Sequence, residues 1–309
     1  MHHLNASMAH LAGEEDRVER FGGENNITFH QVSHACIKFK LTSRHYFQIM
    51  LAPEDPIVKE AFDLAEEGNK KGVVLRLLGH TAVQVHCLKN LPLLLEMRKA
   101  KASDIDFVSY GKQKKAVTNF FAEKGYQIMQ HITMHAYVNR EIFTKPNGVH
   151  VDVFYDNFQF CHSIDFKNRL EADYPTIPLS ELLLTKMQIV KINEKDIKDT
   201  IILLLEHKVG ETDKETINTK VVAKVLSADW GFYYTVTTNL KKVESLLQKY
   251  EALTDENRKA IKDRIASLLE SIEKEPKSMG WKMRAAVGTK KKWYNEVEDV
   301  ERAEWLNSA

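Results

Sequence analysis

Two aspartates separated by a single residue interrupt the apolar run in KASDIDFVSY, residues 101–110. If Ile105 and Phe107 are strand residues, the side chains of Asp104 and Asp106 point together to the opposite face, because side chains alternate along a strand. Two adjacent carboxylates repel each other in a partly dry setting unless a cation, a basic group or water compensates them. The pattern therefore predicts a strand whose acidic face binds a compensating partner.

The sequence around this pair alternates between strand and helix patterns. Residues 73–78 form an apolar run typical of a buried strand, Gly79 interrupts it, and residues 81–87 can begin a helix. Residues 114–125 are amphipathic and predict another helix, and residues 135–156 predict two strands joined by a Pro-Asn-Gly turn. The expected order is therefore strand, helix, strand, helix and a hairpin.

Helical patterns flank this region on both sides. On the N-terminal side, Asp55 is placed to cap a helix that ends near Gly68. On the C-terminal side, residues 177–207 and 254–276 carry apolar residues at helical spacing, with Ser180 as the expected cap of the first helix. The basic and aromatic stretch that follows is less regular in pattern.

The changes of pattern divide the chain into three predicted parts. They are an N-terminal extension over residues 1–70 with a helix near residues 55–68, a core over residues 71–175, and a helical domain over residues 176–309. Strands mixed with helices, followed by helices alone, predict an α+β fold. We expect a mixed β-sheet flanked by helices and followed by a C-terminal helical domain.

The overall charge gives no argument for a nucleic acid, a membrane or an acidic partner, because 44 Lys and Arg face 43 Asp and Glu. Charge-based recognition must therefore be local. Three scattered cysteines argue against a disulfide framework and suit a reducing compartment. No apolar run approaches the length of a membrane span and the start does not resemble a secretory signal, so we expect a cytoplasmic protein without membrane contact.

A third carboxylate follows on a later predicted strand. Asp152 lies among the apolar residues of HVDVF, and pairing of this strand with the DIDF strand would bring it to Asp104 and Asp106. Magnesium prefers hard oxygen ligands and keeps water and phosphate oxygens in its remaining positions, so three aspartates suit a metal–nucleotide complex better than zinc. Gly79, between a strand and a helix, would present free backbone N–H groups to the phosphates.

These motifs resemble those of the DNA polymerase beta-like nucleotidyltransferase superfamily. The segments LLGHTAV, SDIDFV and VDVF match its glycine turn, its aspartate-x-aspartate strand and its third acid. The resemblance implies that residues 71–175 form a nucleotidyltransferase core. It also implies that Asp104, Asp106 and Asp152 are catalytic residues that hold Mg²⁺ or Mn²⁺.

The helical part is similar to that of the abortive-infection, AbiEii-like nucleotidyltransferases, a toxin–antitoxin-like group with a lysine and a downstream basic–acidic pair on the helices after the core. The corresponding residues here are Lys186 and the pair Lys195-Asp196. One departure from the superfamily lies in the turn, where His80 stands in place of a small residue and would crowd the backbone approach to phosphate. The resemblance implies that a nucleoside triphosphate such as ATP is bound by Gly79, His80, Thr81, Ser103 and Lys186.

The implied activity is a magnesium-dependent transfer of a nucleoside monophosphate from a nucleoside triphosphate to a hydroxyl or phosphate acceptor, with release of pyrophosphate. A small molecule, a tRNA and a protein all remain open as the acceptor, and the sequence does not predict an oligomeric state. The alternative is a catalytically inactive protein on the same fold that senses a nucleotide or binds a partner. His80 in the phosphate turn motivates this alternative.

Two other site types find less support in the sequence. A serine hydrolase would need a G-x-S-x-G elbow, which the sequence does not contain. The aromatic and basic residues from Trp281 to Tyr294 could bind a nucleic-acid backbone with base stacking, but a packed and solvated helix end explains them better.

Overall fold

The computed structural model describes residues 55–99, 102–129 and 139–296, all of which belong to one compact unit. The predicted N-terminal extension is therefore described only from Asp55 onward, and Cys36 lies outside the described residues. The predicted division of the chain near residue 175 stays a prediction. Backbone hydrogen bonds cross that position, since the Ile177 amide donates to the Leu77 carbonyl at 2.9 Å.

The first described element is the helix predicted after Asp55. Helix α1 spans Pro56–Lys70, and the Asp55 carboxylate accepts hydrogen bonds from the backbone amides of Ile57 and Val58 at 3.0 and 3.4 Å. Such a cap satisfies amides that have no partner within the helix. The buried face of α1 consists of Val58, Ala61, Phe62, Leu64, Ala65 and Gly68.

The central layer is a sheet of five strands, which are β1 (Arg76–Leu78), β2 (Ile105–Ser109), β3 (Gln127–Ile128), β4 (Arg140–Thr144) and β5 (His150–Tyr155). Their order in the sheet is β1-β2-β5-β4-β3. Strands β2 and β5 are parallel and the other neighbours are antiparallel, so the sheet is mixed as predicted. Strand β1 is shorter than the predicted 73–78, because the backbone amide of Val74 donates to the Gln113 side chain at 2.9 Å.

The two faces of the sheet differ in chemistry. Phe107 of β2 is fully buried, with its ring centroid 6.3 Å from that of Phe121. Phe121 in turn stacks on Phe143 of β4 at 4.5 Å. Burying such a side chain contributes about 1.5–3 kcal/mol, so this aromatic cluster anchors one face. Because side chains alternate, Asp106 lies on the opposite face, as the sequence predicts.

Three further helices follow α1 in the first half of the described chain. Helix α2 (Gly79–His86) follows β1, helix α3 (Leu91–Arg98) precedes β2, and helix α4 (Lys114–Glu123) carries Phe121 of the aromatic cluster. Two short strands, β6 (Asn157–Gln159) and β7 (Ser163–Asp165), form a separate antiparallel pair.

The second half of the described chain is mostly helical, with one parallel pair of short strands, β8 (Lys208–Gly210) and β9 (Thr216–Asn218). The helices are α5 (Leu179–Met187), α6 (Glu194–Glu206), α7 (Thr219–Ala228), α8 (Trp230–Leu246), α9 (Asp255–Lys274) and α10 (Met279–Val287). Asn193 caps α6 by accepting from the Asp196 amide at 2.8 Å. Ser180 is not a cap, because α5 begins at Leu179 and the Ser180 hydroxyl instead accepts from the Asn218 amide at 2.7 Å.

Helix α10 lies where the sequence pattern is least regular. Its N-terminus is capped by Ser278, whose hydroxyl accepts from the Trp281 amide at 3.1 Å. Of the helices in residues 55–99, 102–129 and 139–296, none has the length and apolar character required to cross a membrane. Cys87 and Cys161 are both buried free thiols.

Candidate active site around the paired aspartates

The strand register brings the second and third predicted acids together. In the parallel pairing of β2 with β5, Asp106 lies directly opposite Asp152, and in the antiparallel pairing of β1 with β2, Leu78 lies opposite Asp106. Gly79 follows Leu78 and begins α2. The predicted phosphate turn and two of the predicted acids therefore meet on one line across the sheet.

Gly79 is required at the turn for two reasons. Its φ of +70° lies in the left-handed region, which residues with a Cβ adopt only with strain. A Cβ at this position would also lie 2.2 Å from Oδ2 of Asp106. The turn and the acidic strand are thus in direct van der Waals contact, and only a residue without a side chain allows that approach.

The carboxyl group of Asp106 is held in an environment that opposes its ionisation. Burial raises its pKa well above the ordinary carboxyl value, and the nearby Asp104 and Asp152 raise it further. Lys186 and Arg140 act in the opposite direction but do not outweigh these effects. An acid with this balance is stabilised by any additional cation that approaches it.

The other two acids differ in their surroundings. Asp152 forms an ion pair with Arg140, whose Nη2 lies 2.6 Å from Oδ2, and its side chain is 14% exposed. Asp104 is exposed and accepts a hydrogen bond from the Ser103 hydroxyl at 3.0 Å. Ser103 thus contacts Asp104, the exposed member of the acid pair.

The carboxylate oxygens of Asp104, Asp106 and Asp152 are donors that suit a hard divalent cation. The ionised form of Asp106 is electrostatically destabilised, so a cation would stabilise it. Within the part of the chain that the structure describes, no three His, Cys, Asp or Glu side chains are already gathered closely enough to hold a metal ion. The Arg140 guanidinium supplies positive charge to Asp152 in this arrangement.

The turn itself is stabilised by the third residue of α2. The Thr81 hydroxyl donates to the Leu78 carbonyl at 3.1 Å, and the residue is buried. This bond fixes the strand-to-helix turn and leaves the first amides of α2 directed out of the helix end, where they can bind an anion. Thr81 therefore shapes the predicted phosphate turn through its backbone contact.

The side chain of His80 is directed away from the turn and toward helix α6. Its Nδ1 lies 3.0 Å from Oδ1 of Asp199, and its Nε2 lies 3.0 Å from the Gln84 side chain. The crowding expected from a histidine at this position does not arise from a side chain held in this way. Only its backbone belongs to the turn.

Lys186 and Asp199 form the centre of a buried ion cluster. The Lys186 ammonium contacts Oδ1 of Asp196 and Oδ2 of Asp199, both at 2.9 Å, and the Asp199 side chain is 0% exposed. Nη1 of Arg98 donates to both oxygens of Asp199, at 2.8 and 2.9 Å. The resemblance implies that Lys186 binds the triphosphate, and in this structure its ammonium is paired with two aspartates of α6.

The pKa values in this cluster follow from the competition between burial and charge. Burial alone would raise the pKa of Asp199, but Lys186, His80 and Arg98 hold it well below its ordinary value. Burial alone would lower the pKa of Lys186, but Asp199 and Asp196 raise it. Both groups are therefore charged across the neutral range, and Lys186 also lies close enough to Asp106 to oppose the rise of that pKa.

Three residues of this region were missed by the sequence interpretation: Arg98, Arg140 and Asp199. Asp199 had a detectable signal, since an acid that begins the apolar run TIILLL must be paired if the helix is buried. Arg98 and Arg140 carry no such local signal. Their partners come from other elements of the fold.

The basic and aromatic stretch after residue 276 packs against the helices. The indole Nε1 of Trp281 donates to the Leu226 carbonyl at 3.1 Å, and that of Trp293 donates to the Thr235 hydroxyl at 3.1 Å. The Arg284 guanidinium lies 4.6 Å from the centroid of the Trp230 ring. These aromatic side chains are anchored within the helical part, as a packed helix end requires.

Comparisons with known proteins give weak structural similarities. No family model matches the chain, and no curated protein matches it. The chain is similar to a solved antigenic nucleotidyltransferase-like protein from Paracoccidioides brasiliensis, at 14% identity and a TM-score of 0.35, over 64% of this chain and 94% of that one. It is also similar to the Megavirus polyadenylate synthase, at 12% identity and a TM-score of 0.31, over 70% of this chain and 46% of that one. TM-scores at this level do not establish a shared fold.

Proposed function

We propose that this protein is a metal-dependent nucleotidyltransferase, which transfers a nucleoside monophosphate from a nucleoside triphosphate to a hydroxyl or phosphate acceptor and releases pyrophosphate. The observation that carries the proposal is the contact of Gly79 with Asp106, next to Asp152 in the neighbouring strand. A phosphate-binding turn and paired carboxylates are brought together by three adjacent strands. Either feature alone would be common.

The acids, the turn and Lys186 have different chemical roles in the proposed reaction. Asp104, Asp106 and Asp152 would hold Mg²⁺ or Mn²⁺, which when bound neutralises developing charge on the entering and leaving oxygens. The first amides of α2, after Gly79, bind the triphosphate, because a helix N-terminus favours anions. Lys186 contributes its charge from the side of α5 and lies within electrostatic reach of Asp106.

The environment of Asp106 agrees with such a role. A carboxyl group whose pKa is raised by burial and by two neighbouring acids is unfavourable for stability when ionised. Clusters of this kind are common at sites that bind cations or catalyse reactions. The reason for the inactive alternative was that His80 would crowd the phosphate turn. Because the imidazole is bonded to Asp199, it does not fill the turn, and this reason no longer applies.

The proposal is tested by pyrophosphate release. The parent protein, mixed ribonucleoside triphosphates, Mg²⁺ or Mn²⁺ and a cell extract as the source of acceptor should yield pyrophosphate, and label from an α-phosphate should transfer to an acceptor fraction. The variants Asp104→Asn and Asp106→Asn should lose this activity, whereas the surface variant Asp63→Asn should keep it. Triphosphate binding by the parent without pyrophosphate release would support the inactive alternative instead.

The identity of the labelled fraction then assigns the acceptor class. Label in ribonuclease-sensitive material indicates a tRNA or another RNA, label in protease-sensitive material indicates a protein, and label in neither indicates a small molecule. The assay needs no prior choice of base, because each of the four triphosphates can be labelled separately.

A further inference from the structure

Arg98, the last residue of α3, contacts the buried carboxylate of Asp199, which His80 of the phosphate turn also contacts. Oδ1 of Asp199 lies 3.0 Å from His80 Nδ1 and 2.8 Å from Arg98 Nη1. Two side chains that contact one oxygen atom are close neighbours. Arg98 therefore lies beside His80, whose backbone is part of the turn that begins at Gly79.

The guanidinium of Arg98 is not fully used by Asp199. Its side chain is 8% exposed, and only Nη1 makes the bonds to the two carboxylate oxygens. Its Nε is buried and has no hydrogen-bond partner among the residues that the structure describes. A buried donor without a partner is energetically unfavourable, so a ligand that accepts a hydrogen bond from it removes this cost and gains affinity.

The free part of this guanidinium has the geometry that binds phosphate. Arginine presents its donors in a planar fork, and the edge that includes Nε matches two oxygens of one phosphate group. The Lys186 ammonium contacts the other oxygen of the same carboxylate, Oδ2 of Asp199, at 2.9 Å. Two permanent cations, together with His80, thus surround Asp199 close to the turn.

We propose that Arg98 is a phosphate-binding residue of this site, which contacts the triphosphate through its Nε edge while Nη1 remains on Asp199. The proposal rests on the proposed function for the identity of the ligand. Asp199 acts as a positioning residue, since it orients Arg98, Lys186 and His80 from three different helices. The chemical class bound is a chain of two or more phosphates.

A purely structural role of Arg98 gives a different result. If Arg98 only neutralises Asp199, its replacement lowers stability and leaves phosphate affinity unchanged in the folded variant. If it contacts phosphate, affinity falls more for a polyphosphate than for a nucleoside monophosphate. The dependence of the loss on phosphate number is therefore the discriminating measurement.

The experiment is calorimetric titration with inorganic tripolyphosphate and with the four nucleoside monophosphates, in the presence of Mg²⁺. In Arg98→Lys the charge and one contact to Asp199 are kept while the planar fork is lost. We expect this variant to fold with a melting temperature near that of the parent and to bind tripolyphosphate about tenfold more weakly. Monophosphate affinity should change by less than about twofold, and Arg98→Met should lose at least as much tripolyphosphate affinity as Arg98→Lys.

The matched control is Arg264→Met. Nη1 of Arg264 donates to the Leu205 carbonyl at 2.7 Å, near the C-terminal end of α6, so this variant removes an arginine contact to the same helix away from the turn. It should bind tripolyphosphate as the parent does. Equal affinity of Arg98→Lys and the parent, or no tripolyphosphate binding by the parent, overturns the proposal. Arg98-dependent tripolyphosphate binding without pyrophosphate release would instead refute only the proposed transfer reaction.

Discussion

The imidazole of His80 lies 3.0 Å from the buried carboxylate of Asp199, and this bond joins the turn after the first strand of the sheet to a helix of the second half of the chain. His80 is therefore a tether between two parts of the fold. The side chain of His80 binds Asp199, whereas only its backbone is part of the turn. This separation leads to the first prediction.

His80→Ser should lower stability while changing triphosphate affinity little. The serine cannot reach Asp199, but Lys186 and Arg98 still compensate that carboxylate, so we expect a loss of about 1 kcal/mol, the value of one hydrogen bond. Urea unfolding and calorimetric titration with triphosphate measure the two quantities. A tenfold or larger fall in triphosphate affinity would mean that the imidazole itself contacts phosphate.

Gly79→Ala should disrupt the turn more strongly than its backbone angle alone explains. A Cβ would lie 2.2 Å from Oδ2 of Asp106, so either the turn or the acid must move. Gly125→Ala is the matched control, because Gly125 has a φ of +79° and a Cβ there would meet no described atom within 4 Å. The control should lose about 1–2 kcal/mol for the positive φ, and Gly79→Ala should lose more and abolish triphosphate binding. Equal losses in unfolding experiments would contradict the close contact.

Asp106→Asn should be as stable as the parent or more stable at pH 8, while pyrophosphate release is lost. The pKa of Asp106 is raised in the folded state, so ionisation of this acid opposes folding above the ordinary carboxyl pKa of about 4. The parent should lose this part of its stability as the pH rises from the ordinary carboxyl pKa of about 4 to the raised pKa, and the asparagine variant should not. Urea unfolding at pH 5 and pH 8 compares them; an Asp106→Asn variant that is less stable than the parent at pH 8 contradicts the electrostatic argument.

Lys186→Met should be strongly destabilising, unlike a typical surface substitution. Lys186 contacts both Asp196 and Asp199 at 2.9 Å, so the methionine leaves a fully buried carboxylate with fewer partners. Breaking a buried ion pair costs about 3–5 kcal/mol. The control is Lys198→Met. Lys198 lies on the same helix as Asp199, and its ammonium pairs with the exposed Glu194 at 2.8 Å. Similar melting temperatures for the two variants would show that the Asp199 cluster does not stabilise the fold.

The stability of the parent should fall below pH 6.5 partly through His162. Burial lowers the pKa of His162 to about 4, so the unfolded chain takes up a proton at a higher pH than the folded protein does. Stability should then decrease by up to about 1.4 kcal/mol per pH unit between pH 6.5 and about 4. In His162→Gln this loss of stability with falling pH should be smaller or absent, as unfolding curves at several pH values would show. If the stability of the variant depends on pH as steeply as that of the parent, His162 is not the cause.

The contacts of His162 give the reason for its neutral form. Its Nε2 lies 2.9 Å from the Thr235 hydroxyl, which also accepts from the indole of Trp293 at 3.1 Å. The hydroxyl proton is therefore available to the unprotonated Nε2. Asp229 raises the pKa, but burial has the larger effect.

Much of the local structure could be predicted from the sequence. The helix after Asp55, the strand that contains Asp106, and the helix after Asn193 all depend on residues within a few positions of one another. Capping side chains and apolar periodicity act over such short distances, so a pattern in the sequence is sufficient. The prediction that Asp106 faces away from Ile105 and Phe107 follows from alternation alone.

Only the tertiary structure decided which side chains meet. The sequence could not specify that Asp106 lies opposite Asp152, because a register shift by one residue in β2–β5 pairing would place Asp152 on the other face. The resemblance implied that Lys186 binds a triphosphate, but the sequence did not show that two aspartates of α6 pair with its ammonium. The sequence predicted that the His80 side chain would crowd the phosphate turn, but in the structure this side chain is bonded to Asp199. Patterns of residues near in sequence determine elements, whereas pairing and burial between distant elements determine the partners of each charge.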